Sequence, residues 1–394
     1  MLDQKLKPAT IKKIQDAVNL RVFEPMRKSF KGVNVIFQEY WLRTGTNINA
    51  VCVSGVLVAA LTLITNSTER NIFVDNLLTY QANYLAAFTS DFVYGEGVHY
   101  FNYGFSNYII SRQILLEATN AQLDIFNSFR VAKCAYYCLE YKMSVSTVAN
   151  FGDDYFNSIF DPGIIDYVLS TFNSKLGSSY AKSFILVWFA GKSIGYSLFH
   201  SSKYKYPIAG SRPIEYGLNK YYNESGVMIS RPSAAPTSSG LAVTIKLFGG
   251  QINGAHNHED AGSYAISLND VVMAGDAGGP SFYNASTFDY TRFNYSVINS
   301  YGHPVPYINR KRQTQYWKLT KKPRVLSQST SLSSDKIVYD LRNVYSQVPE
   351  LNALTRTMIY NRSPEQSVLI EDEASFSADS VFEVAIVTKS VKIQ

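Results

Sequence analysis

The spacing of apolar residues changes about halfway along the chain. Up to about residue 199, apolar positions recur every three to four residues, which predicts amphipathic helices. The predicted helices span residues 11–22, 51–64, 72–88, 109–126 and 183–199. Short polar and glycine-containing segments, such as 95–97 and 152–154, separate these helices. The first half is therefore predicted to be an array of antiparallel helix pairs.

After residue 206 the pattern becomes that of short strands. Brief runs of β-branched and aromatic residues alternate with Gly, Asn, Asp and Pro, which favours an antiparallel sheet. The predicted strands span residues 226–230, 241–248, 263–268, 270–274 and 336–341. Helices followed by strands predict an α+β fold of two domains, a helical domain over residues 1–205 and an antiparallel β-sandwich over 206–394.

Composition narrows the class of protein. The chain has 394 residues, of which 46% are hydrophobic and 17% are charged, so it is long and apolar enough to bury two cores. Its longest uncharged apolar stretch, residues 49–66, is shorter than a spanning helix, and no membrane span is expected. The first residues lack the apolar segment of a signal peptide. The net charge of +6 favours a polyanionic partner, either nucleic acid or acidic polysaccharide.

The densest candidate chemistry lies in residues 249–263. His256 and His258 are two of only five histidines, and in an extended chain they share one face. Asp276 and His303 follow downstream, and two imidazoles with one carboxylate form a common zinc ligand set. The alternative is that these are unrelated loop residues, because their spacing is less specific than paired CxxC motifs.

Four segments of the second half resemble, in order, the C-terminal region of heparinase II/III-like polysaccharide lyases. They span residues 221–232, 249–264, 275–278 and 299–313. The family pattern has a histidine–any–histidine–any–aspartate–any–glycine signature, a D-x-G turn and a later metal histidine, and all three are present here. The resemblance implies that His256 is an active-site histidine. It also implies that His258, Asp276 and His303 hold a structural zinc.

The same resemblance implies that the N-terminal domain is an incomplete α/α toroid that supplies the rest of the active site. Asn47 resembles the asparagine that neutralises the carboxylate of the substrate, and Asn49 is a neighbouring candidate for substrate binding. Family members have Trp or His at the next position, whereas this chain has Ile48. The alternative is that Asn47 is a helix N-cap, where Asn is favoured.

Residues 94–112 resemble the lyase segment in which a glycine turn and a histidine or aromatic precede a helical tyrosine and a basic residue. Tyr108 and Arg112 are four residues apart and share one helical face. A neighbouring guanidinium would lower the phenol pKa from near 10, so Tyr108 is the predicted base. His99 is a second candidate from this segment, and Tyr103 is the rival base and a candidate for substrate binding. The alternative is that Tyr108 only packs a helix pair.

The implied activity is β-elimination in an acidic polysaccharide that contains uronic acid, giving a 4,5-unsaturated uronate. Asn47, helped by His99 or His256, would neutralise the carboxylate while Tyr108 removes the C5 proton. Arg292 and Arg310 are expected to bind the polyanion. The active cleft is expected between the two domains. Nucleic acid is not the expected partner, and a homo-oligomer is left open because the helical half is short for a toroid.

Two other classes of function remain open at the level of sequence. One is a glycan-binding or structural protein on a lyase scaffold, which the departure at Ile48 favours. The other is a metal-dependent hydrolase in which His258, Asp276 and His303 surround an open coordination position. The polysaccharide substrate implies a site of action that is extracellular, periplasmic or virion-associated, and the sequence assigns no compartment.

Overall fold

The computed structural model describes residues 6–33, 40–172, 216–247 and 256–388. The chain divides into two compact units. Unit 1 comprises residues 1–87 and 103–131, and unit 2 comprises residues 88–102 and 132–394. The predicted domain boundary at residue 205 lies between 173 and 215, outside the described residues, so it stays a prediction.

The α-helices of the described residues all lie in the first half of the chain. They are α1 Pro8–Val18, α2 Glu24–Phe30, α3 Tyr40–Arg43, α4 Asn47–Leu63, α5 Ser67–Gln81, α6 Gly97–Ala118, α7 Phe129–Glu140 and α8 Pro162–Phe172. The prediction of a helix over 109–126 was too long, because Asn120 and Ala121 have φ angles of 48° and 63° and the chain turns there. The predicted helix over 183–199 lies outside the described residues.

The core of unit 1 is formed by α4 and α5 with the neighbouring helices. Leu57 of α4, Phe73 and Leu77 of α5 and Leu115 of α6 are all fully or almost fully buried in one apolar cluster. Asn66 begins α5, and its side chain accepts a hydrogen bond from the backbone of Glu69, which satisfies one of the free N–H groups at the helix start. The apolar periodicity in this half of the sequence therefore corresponds to real helical packing.

The strands of the described residues all lie in the second half of the chain. They are β1 Asn219–Tyr222, β2 Val227–Ser230, β3 Leu241–Ile245, β4 Tyr264–Leu268, β5 Val271–Ala274, β6 Pro306–Ile308, β7 Arg324–Thr330, β8 Ser334–Asp340, β9 Leu351–Asn361, β10 Ser367–Phe376 and β11 Phe382–Val384. One antiparallel sheet has the order β1-β2-β3-β4-β5 and a second has the order β10-β9-β8-β7, while β11 pairs with β6. The five predicted strands correspond to β2, β3, β4, β5 and β8.

The two larger sheets share one apolar core. Met228 and Ile245 of the first sheet lie in the same buried cluster as Ile337, Tyr339 and Met358 of the second. Two antiparallel sheets that face each other across a core form a β-sandwich, and the predicted α+β class is confirmed. The toroidal arrangement of the helices stays a prediction. Among the described residues, no helix has the length and apolar character that crossing a membrane requires.

Candidate active site

Three connections of unit 2 bring its chemically important side chains together. The β3–β4 connection carries His256 and His258, and the β5–β6 connection carries Asp276 and His303. The connection between α7 and α8 carries Asp153, which lies more than 100 residues from the histidines it contacts. The site is therefore built from segments that are remote in sequence, and the fold of unit 2 alone assembles it.

Close backbone approaches hold these connections against one another. The amide of Gly279 donates to the carbonyl of Asp154 at 2.8 Å, and the amide of Asp153 donates to the carbonyl of His256 at 3.3 Å. A Cβ atom at Gly278 would lie 2.3 Å from the Asp154 oxygen, and Gly278 has a φ angle of +84°. A side chain at Gly279 would meet the Cα of Asp153 at 2.8 Å. Glycine is required at both positions because the chains pass too closely for any other residue.

Asp153 is the acceptor at the centre of the site. Its Oδ2 lies 2.5 Å from Nδ1 of His256, while its Oδ1 lies 2.7 Å from Nε2 of His258 and 3.0 Å from Nη2 of Arg292. Burial alone would raise the pKa of Asp153. The hydrogen bonds from the two histidines, and the charges of His258 and Arg292, outweigh burial and hold that pKa well below its usual range. Asp153 therefore stays ionised at neutral pH.

Sequence analysis missed Asp153, because residues 152–154 were interpreted only as a break between helices. The one signal in the sequence is that Asp153 and Asp154 are adjacent acids in an otherwise apolar and aromatic stretch. Both are almost fully buried. Asp154 accepts hydrogen bonds from the backbone amides of Val98 and His99, at 2.7 and 2.5 Å, and so caps the start of α6.

The imidazole of His256 lies between two carboxylates and against an aromatic ring. An ionised Asp153 only accepts hydrogen bonds, so a neutral His256 carries its proton on Nδ1 and its lone pair on Nε2. Nε2 lies 3.6 Å from Oε1 of Glu96. The ring of Tyr100 stacks on the imidazole, with centroids 3.8 Å apart and an interplanar angle of 22°. Nε2 is therefore the ring nitrogen of His256 that Asp153 leaves available for a substrate.

Tyr100 is one of two tyrosines at this site, with Tyr283, and neither was predicted from the sequence. Its hydroxyl forms a hydrogen bond with Tyr283, whose hydroxyl also forms one with Asp153. Burial, together with the nearby charges of Asp153 and Glu96, raises the pKa of Tyr100 to about 12, so the phenol keeps its proton at neutral pH. Tyr100 directly follows the predicted site residue His99, which is exposed and has its ring 5.0 Å from that of Tyr155.

A second cluster beside Asp153 has the geometry of a metal site. Ligand atoms of His258, Asp260, Asp276 and His303 all lie within 4.8 Å of one another. Nδ1 of His258 and Nε2 of His303 are buried and have no hydrogen-bond partner, and Nδ1 of His303 lies 3.0 Å from Oδ2 of Asp276. Buried polar atoms without partners are costly, and a shared cation would satisfy one ring nitrogen of each histidine together with the carboxylates. Two imidazoles with carboxylates fit zinc.

The pKa values of the two histidines in this cluster are shifted in opposite directions. Burial lowers the pKa of His258. Burial would also lower the pKa of His303, but the carboxylates of Asp276 and Asp260 outweigh it and raise that pKa. Sequence analysis did not single out Asp260 as a donor, although it is the aspartate of the family signature. It also forms a buried ion pair with Lys246.

The structure places Tyr108 and Arg112 in the interior of unit 1. Tyr108 is 4% exposed and stacks on Phe126, with centroids 5.7 Å apart. Arg112 forms a bidentate ion pair with Asp124, with both N···O distances at 2.7 Å. Arg112 is therefore already paired with a carboxylate, whereas the prediction of Tyr108 as the base requires a guanidinium without a partner. The described geometry corresponds to the alternative, in which Tyr108 packs between helices.

Asn47 and Asn49 both begin α4 and are both buried. Thr46 is the N-cap residue and Asn47 is the first helical residue, so the alternative reading of Asn47 as an N-cap was wrong by one position. Asn49 has no exposed surface, and its amide nitrogen donates to the carbonyls of Trp41, Leu42 and Tyr80 at 2.9, 3.0 and 3.1 Å. The interpretation of Asn49 as a substrate-binding residue is therefore corrected to that of a structural anchor.

The remaining predicted binding residues differ in accessibility. Tyr103 and Arg310 are exposed, Arg310 in a turn with a φ angle of 57°. Arg292 is only 5% exposed and donates to Asp153, so its predicted role as a surface contact for a polyanion is corrected to that of a residue that builds the site. Because Asn47 and Tyr108 lie in unit 1 and the histidines lie in unit 2, a cleft shared by both domains stays a prediction.

No sequence-family model matches the chain, and no curated protein sequence matches it. Solved structures do match. They include a heparinase III at TM-score 0.56 and 14% identity, with 84% of this chain and 48% of that chain covered. They also include heparan sulfate lyase HepC from Pedobacter heparinus at TM-score 0.50 and 13% identity, with 84% of this chain and 46% of that chain covered. A heparinase III with methylated lysines matches at TM-score 0.56 and 12% identity, with 88% and 47% covered. The chain thus spans about half the length of these proteins, and it has a heparinase-like fold.

Proposed function

We propose that this protein is a polysaccharide lyase that cleaves an acidic polysaccharide containing uronic acid by β-elimination. The observation that carries the proposal is the arrangement of His256, which is bonded through Nδ1 to Asp153 and stacked on Tyr100. The heparinase-like fold adds support, since its solved examples are named as heparinase III and as a heparan sulfate lyase.

The proposed reaction needs a base, an acid and a group that neutralises a carboxylate. A base removes the proton from C5 of the uronate, the C–H electrons form a double bond between C4 and C5, and the C4–O4 bond breaks. The departing O4 then takes up a proton. The C5 proton is acidic enough to remove only when charge on the adjoining carboxylate is compensated in the transition state.

His256 and Tyr100 are the residues we assign to proton transfer. In neutral His256 the proton is held on Nδ1 by Asp153, so Nε2 is suited to accept the C5 proton. Tyr100 keeps its phenolic proton at neutral pH and is suited to donate to the departing O4. The two rings lie 3.8 Å apart, a separation at which both side chains reach one glycosidic bond. Tyr283 and Glu96 orient this pair.

Neutralisation of the uronate carboxylate stays assigned to Asn47, with the exposed His99 as the second candidate. Both assignments derive from the resemblance to lyases. His99 is fixed through its backbone amide by Asp154, so its imidazole projects from the first turn of α6. A histidine at a helix start that faces solvent is able to meet an anionic group of a substrate.

We propose that zinc is held by His258, Asp276 and His303, with Asp260 as a further donor. The ion would supply a cross-link between the β3–β4 and β5–β6 connections, and so brace the segment that carries His256. The side chains of His258, Asp276 and His303 are inaccessible to solvent. A site that water cannot enter is typical of structural zinc, which weighs against the alternative of a metal-dependent hydrolase.

The experiment that tests the proposal is an ultraviolet-monitored panel of acidic polysaccharides, including heparan sulfate, alginate and glucuronan. Elimination leaves an unsaturated uronate that absorbs in the ultraviolet, whereas hydrolysis produces new reducing ends without this absorbance. We expect absorbance to rise with at least one polymer and to stay flat with His256→Ala. New reducing ends without absorbance, or an intact polymer throughout the panel, would reject the lyase assignment.

A further inference from the structure

Phe288 is a large apolar side chain that unit 2 leaves 57% exposed beside the His256 site. Its ring meets the His256 imidazole edge to face, with centroids 6.2 Å apart and an interplanar angle of 85°. Its own face stacks on Tyr283, with centroids 5.4 Å apart and an angle of 22°. Tyr283 in turn hydrogen-bonds to Tyr100. An exposed aromatic ring that is continuous with reactive groups is typical of a binding surface.

The backbone holds this ring in a defined position. Phe288 ends a 3₁₀-helix, Ala285–Phe288, in which the side chain of Asn284 accepts from the amide of Ser286 at 2.9 Å. Asp289 begins the next 3₁₀-helix, Tyr290–Asn294, and accepts from the amide of Thr291 at 2.7 Å. Two capped turns therefore flank Phe288 on both sides. A ring held in this way loses little conformational entropy when a ligand covers it.

We propose that Phe288 is a stacking platform for a pyranose ring of the acidic glycan, adjoining the ring on which His256 acts. This inference rests on the proposed lyase function and deepens it by naming a subsite. The C–H bonds on one face of a pyranose carry partial positive charge, and the face of an aromatic ring carries partial negative charge. Stacking also removes apolar surface of both rings from water.

The charges near Phe288 indicate what the platform recognises. The neighbouring residue is Asp289, whose pKa is lowered by the hydrogen bonds from Thr291, so the platform is flanked by an anion. An anion beside the ring disfavours a carboxylate or sulfate at that point. The platform thus selects the C–H face of a sugar, and its contribution to binding does not depend on salt, because stacking is not screened as ion pairs are.

The test compares Phe288→Ala with Phe288→Trp and with Phe282→Ala, in steady-state assays on the polymer that the wild-type protein cleaves best. Phe282 is 74% exposed on the same connection, so it matches the substitution without facing His256. We expect Phe288→Ala to raise KM about tenfold with kcat nearly unchanged, as for loss of a binding contact away from the reacting atoms. Phe288→Trp and Phe282→Ala should keep KM near the wild-type value. The KM ratio between Phe288→Ala and wild type should be the same at low and high salt.

Failure of the subsite differs from failure of the lyase function. If the wild-type protein eliminates but Phe288→Ala leaves KM unchanged, or if Phe282→Ala raises KM equally, the platform is wrong and the lyase function stands. If no polymer is eliminated, the lyase function fails. The platform is then tested by affinity electrophoresis of the same variants in gels that contain each polymer. Loss of retardation with Phe288→Ala alone supports the platform, and equal retardation of all variants overturns it.

Discussion

Replacing Tyr100 by Phe deletes one hydroxyl and keeps the ring that stacks on His256. If the hydroxyl contributed only its hydrogen bond to Tyr283, the loss would be about 1 kcal/mol, or about fivefold in rate at most. A positioned acid or base contributes about 10²- to 10⁴-fold, which corresponds to about 3–5 kcal/mol in the activation barrier. We therefore expect kcat of Tyr100→Phe to fall by at least a hundredfold, well beyond the loss of one hydrogen bond.

Three matched tyrosine variants separate the possible sources of that effect. Tyr283→Phe removes this hydrogen bond and the one to Asp153 but leaves the phenol of Tyr100, so at about 1 kcal/mol for each bond its rate should fall by about thirtyfold at most. Tyr108→Phe and Tyr103→Phe test the two tyrosines that the sequence predicted, and both should retain activity. Initial rates of ultraviolet absorbance give kcat, and the melting temperature of each variant shows whether the fold survives.

The result that refutes this reasoning is a Tyr100→Phe protein with more than a tenth of the wild-type kcat. Loss of activity in Tyr108→Phe, with its melting temperature unchanged, would restore the original prediction and place the base in unit 1. Equal losses in Tyr100→Phe and Tyr283→Phe would show that the hydrogen bond matters and the proton of Tyr100 does not.

Three further outcomes are expected. Elemental analysis of protein purified without chelator should show about one zinc per chain, and a chelator or His303→Ala should lower the melting temperature; a metal-free protein with an unchanged melting temperature contradicts the zinc site. Arg112→Ala should lower the free energy of unfolding by about 3 kcal/mol, because it leaves the carboxylate of Asp124 without its ion-pair partner. The double variant with Asp124→Ala should recover part of that loss, and an unchanged denaturation midpoint of Arg112→Ala would contradict the prediction. Burial lowers the pKa of Lys142 from 10.5 to about 8, so between these pH values the folded state binds fewer protons than the unfolded state, and the free energy of unfolding should rise with pH. The denaturation midpoint of Lys142→Met should lack this rise, and an identical rise in both proteins would contradict the prediction.

The elements that could be predicted are those whose signal is local. Short runs of β-branched residues between turn residues were enough to predict β2 to β5, because both signals lie within a few residues of each strand. The spacing of His256 and His258 correctly indicated a shared direction, since both imidazoles reach the same carboxylate of Asp153. That carboxylate itself was missed, because nothing in the local sequence indicates a contact across more than 100 residues.

Tyr108 was chosen from the resemblance to lyases and from its spacing to Arg112, and neither predicts the ion pair between Arg112 and Asp124. The predicted helix over 109–126 would have carried Asp124 along the helix axis away from Arg112. The chain instead turns at Asn120 and Ala121, and this brings Asp124 back to the guanidinium. Spacing of four residues correctly predicts that Tyr108 and Arg112 are neighbours, but it does not predict their burial or a third partner. Tyr100, the proposed proton donor, lies in the first turn of this helix.

Because Gly278 and Gly279 are crowded, two parts of the β5–β6 connection differ in how well they tolerate substitution. No side chain fits where these glycines press on the backbone of residues 153 and 154, so saturation mutagenesis should return only glycine there. Phe282 and Phe288, later on the same connection, are 74% and 57% exposed, so their exchange should leave the fold intact. The connection thus combines two positions that accept only glycine with an exposed aromatic segment over residues 282–288. Libraries confined to that segment should yield new glycan preferences without loss of folding.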